Sequence, residues 1–224
     1  MKKPVITIDG PAGAGKSTIS RLLAKKMNLV YLDTGAMYRA VALQAKRMNI
    51  PFTNGRALYE MCENINIHFK EDGGNSAICI DDEDVSVEIR RPEMDMLSSS
   101  VSAVMEVRKA MTALQRKIGK NGGLVAEGRD MGTAVFPEAD FKFFITATPE
   151  IRARRRYTER KERNEDVKRE DVEADIRKRD EQDQSRKLAP LKPAEDAVMI
   201  DTSEMGIEQV LEKILDSVKM PVKK

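Results

Sequence analysis

The sequence predicts an α/β fold: a five-stranded parallel sheet flanked by helices, carrying a small antiparallel β insertion and an arginine-rich helical segment. Three observations predict it. Residues 10–18 read GPAGAGKST directly after the apolar run Val5–Ile8, so strand, glycine-rich loop and helix arrive in the order a phosphate-binding loop requires. Five apolar, β-prone segments stand out: Val5–Ile8, Leu29–Leu32, Leu124–Ala126, Phe141–Ala147 and Ala197–Ile200. Helical patterns lie between most of them, as in strand–helix–strand units. Between about 63 and 90 the apolar period shifts to two, which marks the insertion.

The loop Gly10, Pro11, Ala12, Gly13, Ala14, Gly15, Lys16, Ser17, Thr18 matches G-x-x-x-x-G-K-[ST] without mismatch. Its glycines let backbone N–H groups converge on phosphate oxygens, Lys16 brings a charge to the β/γ oxygens, and the Ser17 hydroxyl can ligate Mg²⁺. Ile19, Leu22, Leu23 and Met27 then recur at helical spacing. The second strand runs into Asp33-Thr34-Gly35 and the third into Glu127-Gly128-Arg129-Asp130, at the strand ends where ligands of parallel sheets gather.

In the insertion Ile65, Ile67 and Phe69 alternate, Asp72-Gly73-Gly74-Asn75 supplies a turn, and Ile78 with Ile80, then Val85, Val87 and Ile89, continue the alternation. A single helix is expected over roughly 94–118, with Leu97, Val101, Val104, Met111, Leu114 and Ile118 on one face. Arg108 falls on that apolar side and must find an anion or reach solvent along its stem. Residues 152–169 hold nine basic and four acidic side chains, which fits either a solvated helix face or an arginine-bearing lid over a triphosphate. Ile207, Val210, Leu211, Ile214, Leu215 and Val218 form the stripe of a last helix.

The 224 residues make one large domain or a core with insertions. A net charge of +2 selects neither nucleic acid nor anionic membrane. Within the arginine stretch only Tyr157 could stack on a base, which argues against a single-strand groove. Cys62, Cys79 and His68 are too few for a disulfide framework or a Cys/His metal cluster. No apolar run approaches 18 residues and the first is too short for a signal peptide, so a cytoplasmic protein is expected.

Four phrases stand together: GPAGAGKST at 10, DTGAMYRA at 33, AEGRDMGTAVFP at 126 and RDEQDQSRKLAPL at 179. In this combination the chain closely resembles the bacterial cytidylate kinases, the (d)CMP kinases of the nucleoside monophosphate kinase family. The resemblance implies a P-loop NTPase core with an NMP-binding insertion and a helical lid. It divides the chain into 1–62 and 119–149 (core), 63–118 (insertion and following helix), 150–190 (lid and nucleotide-contacting helix) and 191–224 (last strand and helix).

It also implies ATP at Gly10–Thr18, and CMP or dCMP at Thr34, Arg39, Ser99, Arg108, Arg129, Asp130, Arg179, Asp183 and Arg186. Mg²⁺ would enter with ATP at Ser17 and Asp33, and Lys16, Arg129, Arg155, Arg156 and Arg186 would act on the transferring phosphate. No nucleic-acid or membrane partner is implied, and a monomer is the expected state. Plainer readings exist for some of these residues. Asp33 and Thr34 could simply end a strand and open a helix, Arg129–Asp130 could be a surface ion pair, and Arg179, Asp183 and Arg186 could be a salt-bridged helix face. A phosphate-loop kinase with another acceptor, or a nucleotide-binding module, are the rival functions.

Overall fold

Five parallel strands are built from the apolar segments named above: β1 (Val5–Asp9), β2 (Val30–Asp33), β6 (Leu124–Gly128), β7 (Phe141–Thr146) and β8 (Val198–Asp201). In the computed structural model, which describes residues 3–72 and 75–219, they form one sheet in the order β2-β6-β1-β7-β8. β1 is central and every one of its residues is buried, which is why it reads as an unbroken apolar run rather than an alternation. Helices α1 (Lys16–Met27) and α8 (Ile207–Lys219) pack on this sheet. Ile19, Leu23 and Ala24 of α1 and Val210 and Ile214 of α8 close over Ile6, Ile8, Val125, Phe143, Ile145 and Ile200.

These elements belong to the first of two compact units, Met1–Leu32 with Gly119–Lys224. The same unit carries α6 (Pro149–Glu162) and α7 (Arg169–Ser185), which meet over a small separate core of Ala153, Val172 and Ile176 flanked by Tyr157 and Val167. α6 starts where Thr148 accepts from the Ile151 N–H and Pro149 takes the first helical position.

The second unit, Asp33–Ile118, holds α2 (Thr34–Arg47), α3 (Gly55–Asn64) and the hairpin β3 (Ile67–Asp72) and β4 (Asn75–Ile80). A two-residue strand, β5 (Glu83–Asp84), and helices α4 (Glu93–Ser102) and α5 (Met105–Ile118) complete it. The insertion is antiparallel as expected, with Ile67 opposite Ile80 and His68 opposite Cys79. The expected turn at Gly73-Gly74 lies outside the described residues.

Two expectations fail here. Val85, Val87 and Ile89 do not extend the sheet: the chain enters a 3₁₀ turn over Glu88–Arg90, the Ile89 N–H bonds to the Val85 carbonyl, and Val85 and Ile89 are buried while Val87 is exposed. Three apolar residues at a period of two fit a turn that buries the first and last as well as they fit a strand. The single helix over 94–118 is two, broken at Ala103-Val104. The Ser98 and Ser102 hydroxyls bond back to the carbonyls of Asp95 and Ser99, and the last turn tightens to i+3 bonds at Ala103 and Val104. Serine hydroxyls compete with the helical ladder in this way.

Candidate active site

The glycine-rich loop leaves β1 in a conformation only glycine adopts freely. Gly10 has φ 146°, and a Cβ there would lie 1.9 Å from the carbonyl oxygen of Ile145 in β7. Lys16, at the start of α1, is buried and its Nζ donates to the Pro11 carbonyl at 2.8 Å. Burial pushes its pKa down to about 7; the charges of Arg129 and Arg179 add to this, and Glu127 and Asp183 oppose it.

Ser17 Oγ donates to Glu127 Oε1 at 2.7 Å, and Tyr31 Oη donates to Glu127 Oε2 at 2.6 Å. Glu127 stands at the carboxyl end of β6, the strand beside β1, and the sequence reading gave it no role. Its signal was an acid at that end of a strand neighbouring the loop. The hard oxygens of Ser17 and Glu127 suit Mg²⁺, which takes few protein ligands and completes its shell with phosphates and water. The described residues contain no cluster of three His, Cys, Asp or Glu that could hold a metal ion.

After β6 the chain turns through Arg129 and Asp130 into a π-helical turn, Met131–Val135, where the Phe136 N–H reaches the Met131 carbonyl at 2.7 Å. Asp9, the last residue of β1, holds this turn: its two carboxylate oxygens accept the Met131 and Gly132 N–H groups, each at 2.8 Å. Burial raises the Asp9 pKa to about 7 against the pull of those two bonds. Asp9 is a second residue that sequence reasoning missed.

Arg129 Nε donates to Asp183 Oδ2 at 2.8 Å, and Arg186, just past the end of α7, bonds to the other oxygen, Oδ1. Asp183 is almost fully buried. Burial by itself would raise its pKa, but Arg129, Arg186 and Arg179 together hold it below the usual carboxylate range. The surface-pair reading of Arg129 is thereby overturned. So is the simple helix-face reading, because Asp183 bonds across to the segment after β6. Asp130 is buried in the same segment.

The two expected lid arginines differ in their contacts. Arg155 is docked on the end of β8, with Nη1 on Thr202 Oγ1 at 2.9 Å and Nη2 on the Thr202 carbonyl at 2.7 Å. Arg156 pairs with Glu159 one turn on, at 2.6 Å.

The second unit holds the remaining expected residues. Asp33 caps α2 by accepting the Ala36 N–H at 2.8 Å, and Thr34 is buried as the first residue of that helix. Arg39 donates twice to Asp95 Oδ1, from Nη2 at 3.0 Å and Nε at 3.3 Å. Ser99 and Arg108 are both buried; the guanidinium lies 5.9 Å from the Tyr38 ring centre and reaches the Ser102 carbonyl at 3.4 Å. The structure thus brings Lys16, Arg129, Arg179, Asp183 and Arg186 together in one unit, and Arg39, Ser99 and Arg108 reside in the other.

A family model described as cytidylate kinase matches residues 6–220. A cytidylate kinase of Citrifermentans bemidjiense is 47% identical over 96% of this chain and 92% of its own. One from Caldicellulosiruptor saccharolyticus is 45% identical over 96% of each. Among solved structures, an uncharacterized protein from Eubacterium ventriosum superposes with a TM-score of 0.52 at 11% identity, covering 98% of this chain and 100% of that one, a likeness of fold alone. No helix among the described residues is long and apolar enough to cross a membrane.

Proposed function

The chain belongs to the cytidylate kinase family, and from that premise we propose how its residues move the γ-phosphoryl group of ATP onto CMP or dCMP to give ADP and CDP or dCDP. The observation that carries the reading is the set of cations gathered behind the glycine loop, with Lys16 buried beside Arg129, Arg179 and Asp183. The acceptor phosphate is itself the nucleophile, so the protein needs no covalent intermediate. It must position two anions, neutralise their charge and exclude water.

Residues Gly10–Thr18 cradle the ATP phosphates, and Lys16 regains its charge against them. Arg39 and Arg129 grip the acceptor phosphate in forked geometry that lysine cannot copy. Asp183 holds Arg129 in place, and with Arg179 and Arg186 it meets the ribose and the transferring group; Arg155 and Arg156 close over that group. Ser17 with Glu127 beside it and, through water, Asp33 would hold Mg²⁺ entering with ATP, which when bound would spread the negative charge of the phosphates.

Cytosine places an N4 donor beside an N3 acceptor, and uracil reverses the order. Asp130 accepting from N4, with Arg108 donating toward N3 or O2 and Ser99 alongside base and sugar, suits cytosine and leaves buried groups unpaired against uracil. Each such group costs about 1–3 kcal/mol, roughly tenfold to a hundredfold in discrimination. The reading places the enzyme in the cytoplasm as a monomer that needs no nucleic acid.

ADP release from MgATP, followed with CMP, dCMP, UMP, AMP and no acceptor, tests the reading: rapid release with CMP and little without acceptor is expected. Asp130→Asn should narrow the preference for CMP over UMP by about tenfold or more. An unchanged preference in a folded variant removes Asp130 from base recognition.

A further inference from the structure

Arg152, in the first turn of α6, is buried and makes three bonds. Nε donates to the Ala147 carbonyl at the end of β7 at 3.0 Å, and Nη1 donates both to the Ala12 carbonyl at 3.2 Å and to Asp180 Oδ2 at 2.6 Å. Ala12 lies in the glycine loop and Asp180 lies on α7, three residues before Asp183. One guanidinium therefore ties the loop to the helix that orients Arg129. The loop lies flush on α6: a Cβ at Gly13 would sit 2.8 Å from the Arg152 carbonyl oxygen. Asp180 is also a charge partner of Arg129. The charged chain runs from Ala12 through Arg152 and Asp180 to Arg129, Asp183 and Arg186.

We infer that Arg152 and Asp180 are positioning residues that set the Ala12–Gly13 peptide of the ATP loop and link its setting to α7. In a trans peptide the carbonyl of one residue and the N–H of the next point in opposite directions. Holding the Ala12 carbonyl on the Arg152 side therefore turns the Gly13 N–H to the opposite side of the loop. A buried guanidinium keeps its charge, so without Asp180 it would stand uncompensated and be drawn off the Ala12 carbonyl toward solvent or another anion. Arg152 and Asp180 set the peptide without touching either nucleotide in the assignments above. The inference rests on the ATP-loop assignment under Proposed function and not on the identity of the acceptor.

Calorimetric titration of the full-length protein with MgATP, without CMP, tests it. Asp180→Asn should weaken ATP binding by about five- to tenfold, the effect of neutralising one partner of a charged hydrogen bond. Asp180→Glu, which keeps the charge, should stay within about twofold of the wild type. In an Arg152→Lys background Asp180→Asn should add less than about twofold, because coupled residues do not act additively. An unchanged affinity in Asp180→Asn overturns the inference, and so do effects that simply multiply in the double variant. A purely structural role would lower the binding stoichiometry and melting temperature and leave the affinity of the folded fraction intact, which overturns it as well. If Arg152→Lys does not fold, the Asn and Glu variants of Asp180 decide alone. A wild type that binds ATP but releases no ADP with CMP discards the kinase assignment and leaves the brace standing.

Discussion

Arg129 and Arg186 share one carboxylate, Asp183, and the three side chains keep 16%, 7% and 1% of their exposure. Arg39 of the second unit and its partner Asp95 keep 22% and 23%. Under the proposed function both arrangements would offer arginine to a phosphate, but by different means. The buried set is already desolvated and oriented before any nucleotide arrives, at the cost of internal carboxylates that must stay ionised. The partly exposed pair is the more hydrated of the two and can exchange its carboxylate for a phosphate at a lower cost.

Four perturbations separate the two arrangements. Asp183→Asn leaves two buried guanidinium groups facing a neutral amide, and should cost about 3–5 kcal/mol in urea unfolding; a loss under about 1 kcal/mol would place Asp183 with the surface pairs. Lys16→Met removes one preorganised charge and should slow turnover by about 10² or more. Near wild-type turnover in the folded variant would mean the loop is not an ATP loop.

The third perturbation is pH. With a pKa of about 7 in the ligand-free protein, Lys16 is mostly neutral at pH 8 and recharges against bound phosphates. ATP binding at pH 8 should then take up about one proton and weaken toward tenfold per pH unit above 7. Calorimetry in two buffers of different ionisation heat reads the uptake, and zero uptake at pH 8 would contradict a depressed Lys16. The sign for folding follows from the same values. Between about 7 and the ordinary 10.5 the unfolded chain carries a proton that the native state lacks, so Lys16 makes ligand-free stability rise with pH. The smallest effect belongs to Asp95→Asn. Less than about 1 kcal/mol of stability should be lost, and CMP should bind about two- to threefold tighter because Arg39 no longer leaves a carboxylate. Weaker CMP binding would show that Asp95 orients Arg39 instead of competing with its ligand.

The sheet was readable because it follows local rules: apolar runs bounded by turn residues, and helices whose stripes recur at 3.6. The loop was readable because its chemistry demands a fixed spacing. The site's supports were not. Ser17 and Glu127 are 110 positions apart, Asp9 and Met131 are 122, and Arg39 and Asp95 are 56. Such bonds are set by strand order and by the exit angle of each loop, which no window of the sequence contains. The break at Ala103 was hidden for a different reason. The apolar stripe does continue across it, and only the serine hydroxyls, which carry no periodicity, reveal that the helix ends.

The helix pair α6 and α7 rests on three buried apolar residues and two flanking ones. Ion pairs also join the two helices: Arg152 to Asp180 and Arg160 to Asp175, with Arg160 holding Glu165 of the connecting segment as well. With so small an apolar core, the pair is expected to open locally at a lower cost than the sheet it adjoins, which hydrogen exchange would read as faster exchange in α6 and α7. Added salt screens its exposed ion pairs while leaving the aliphatic interior around β1 untouched. Ionic strength is therefore a dial on the outer part of this hairpin, able to loosen its exposed ion pairs while the buried Arg152–Asp180 bond keeps the glycine loop on the helices.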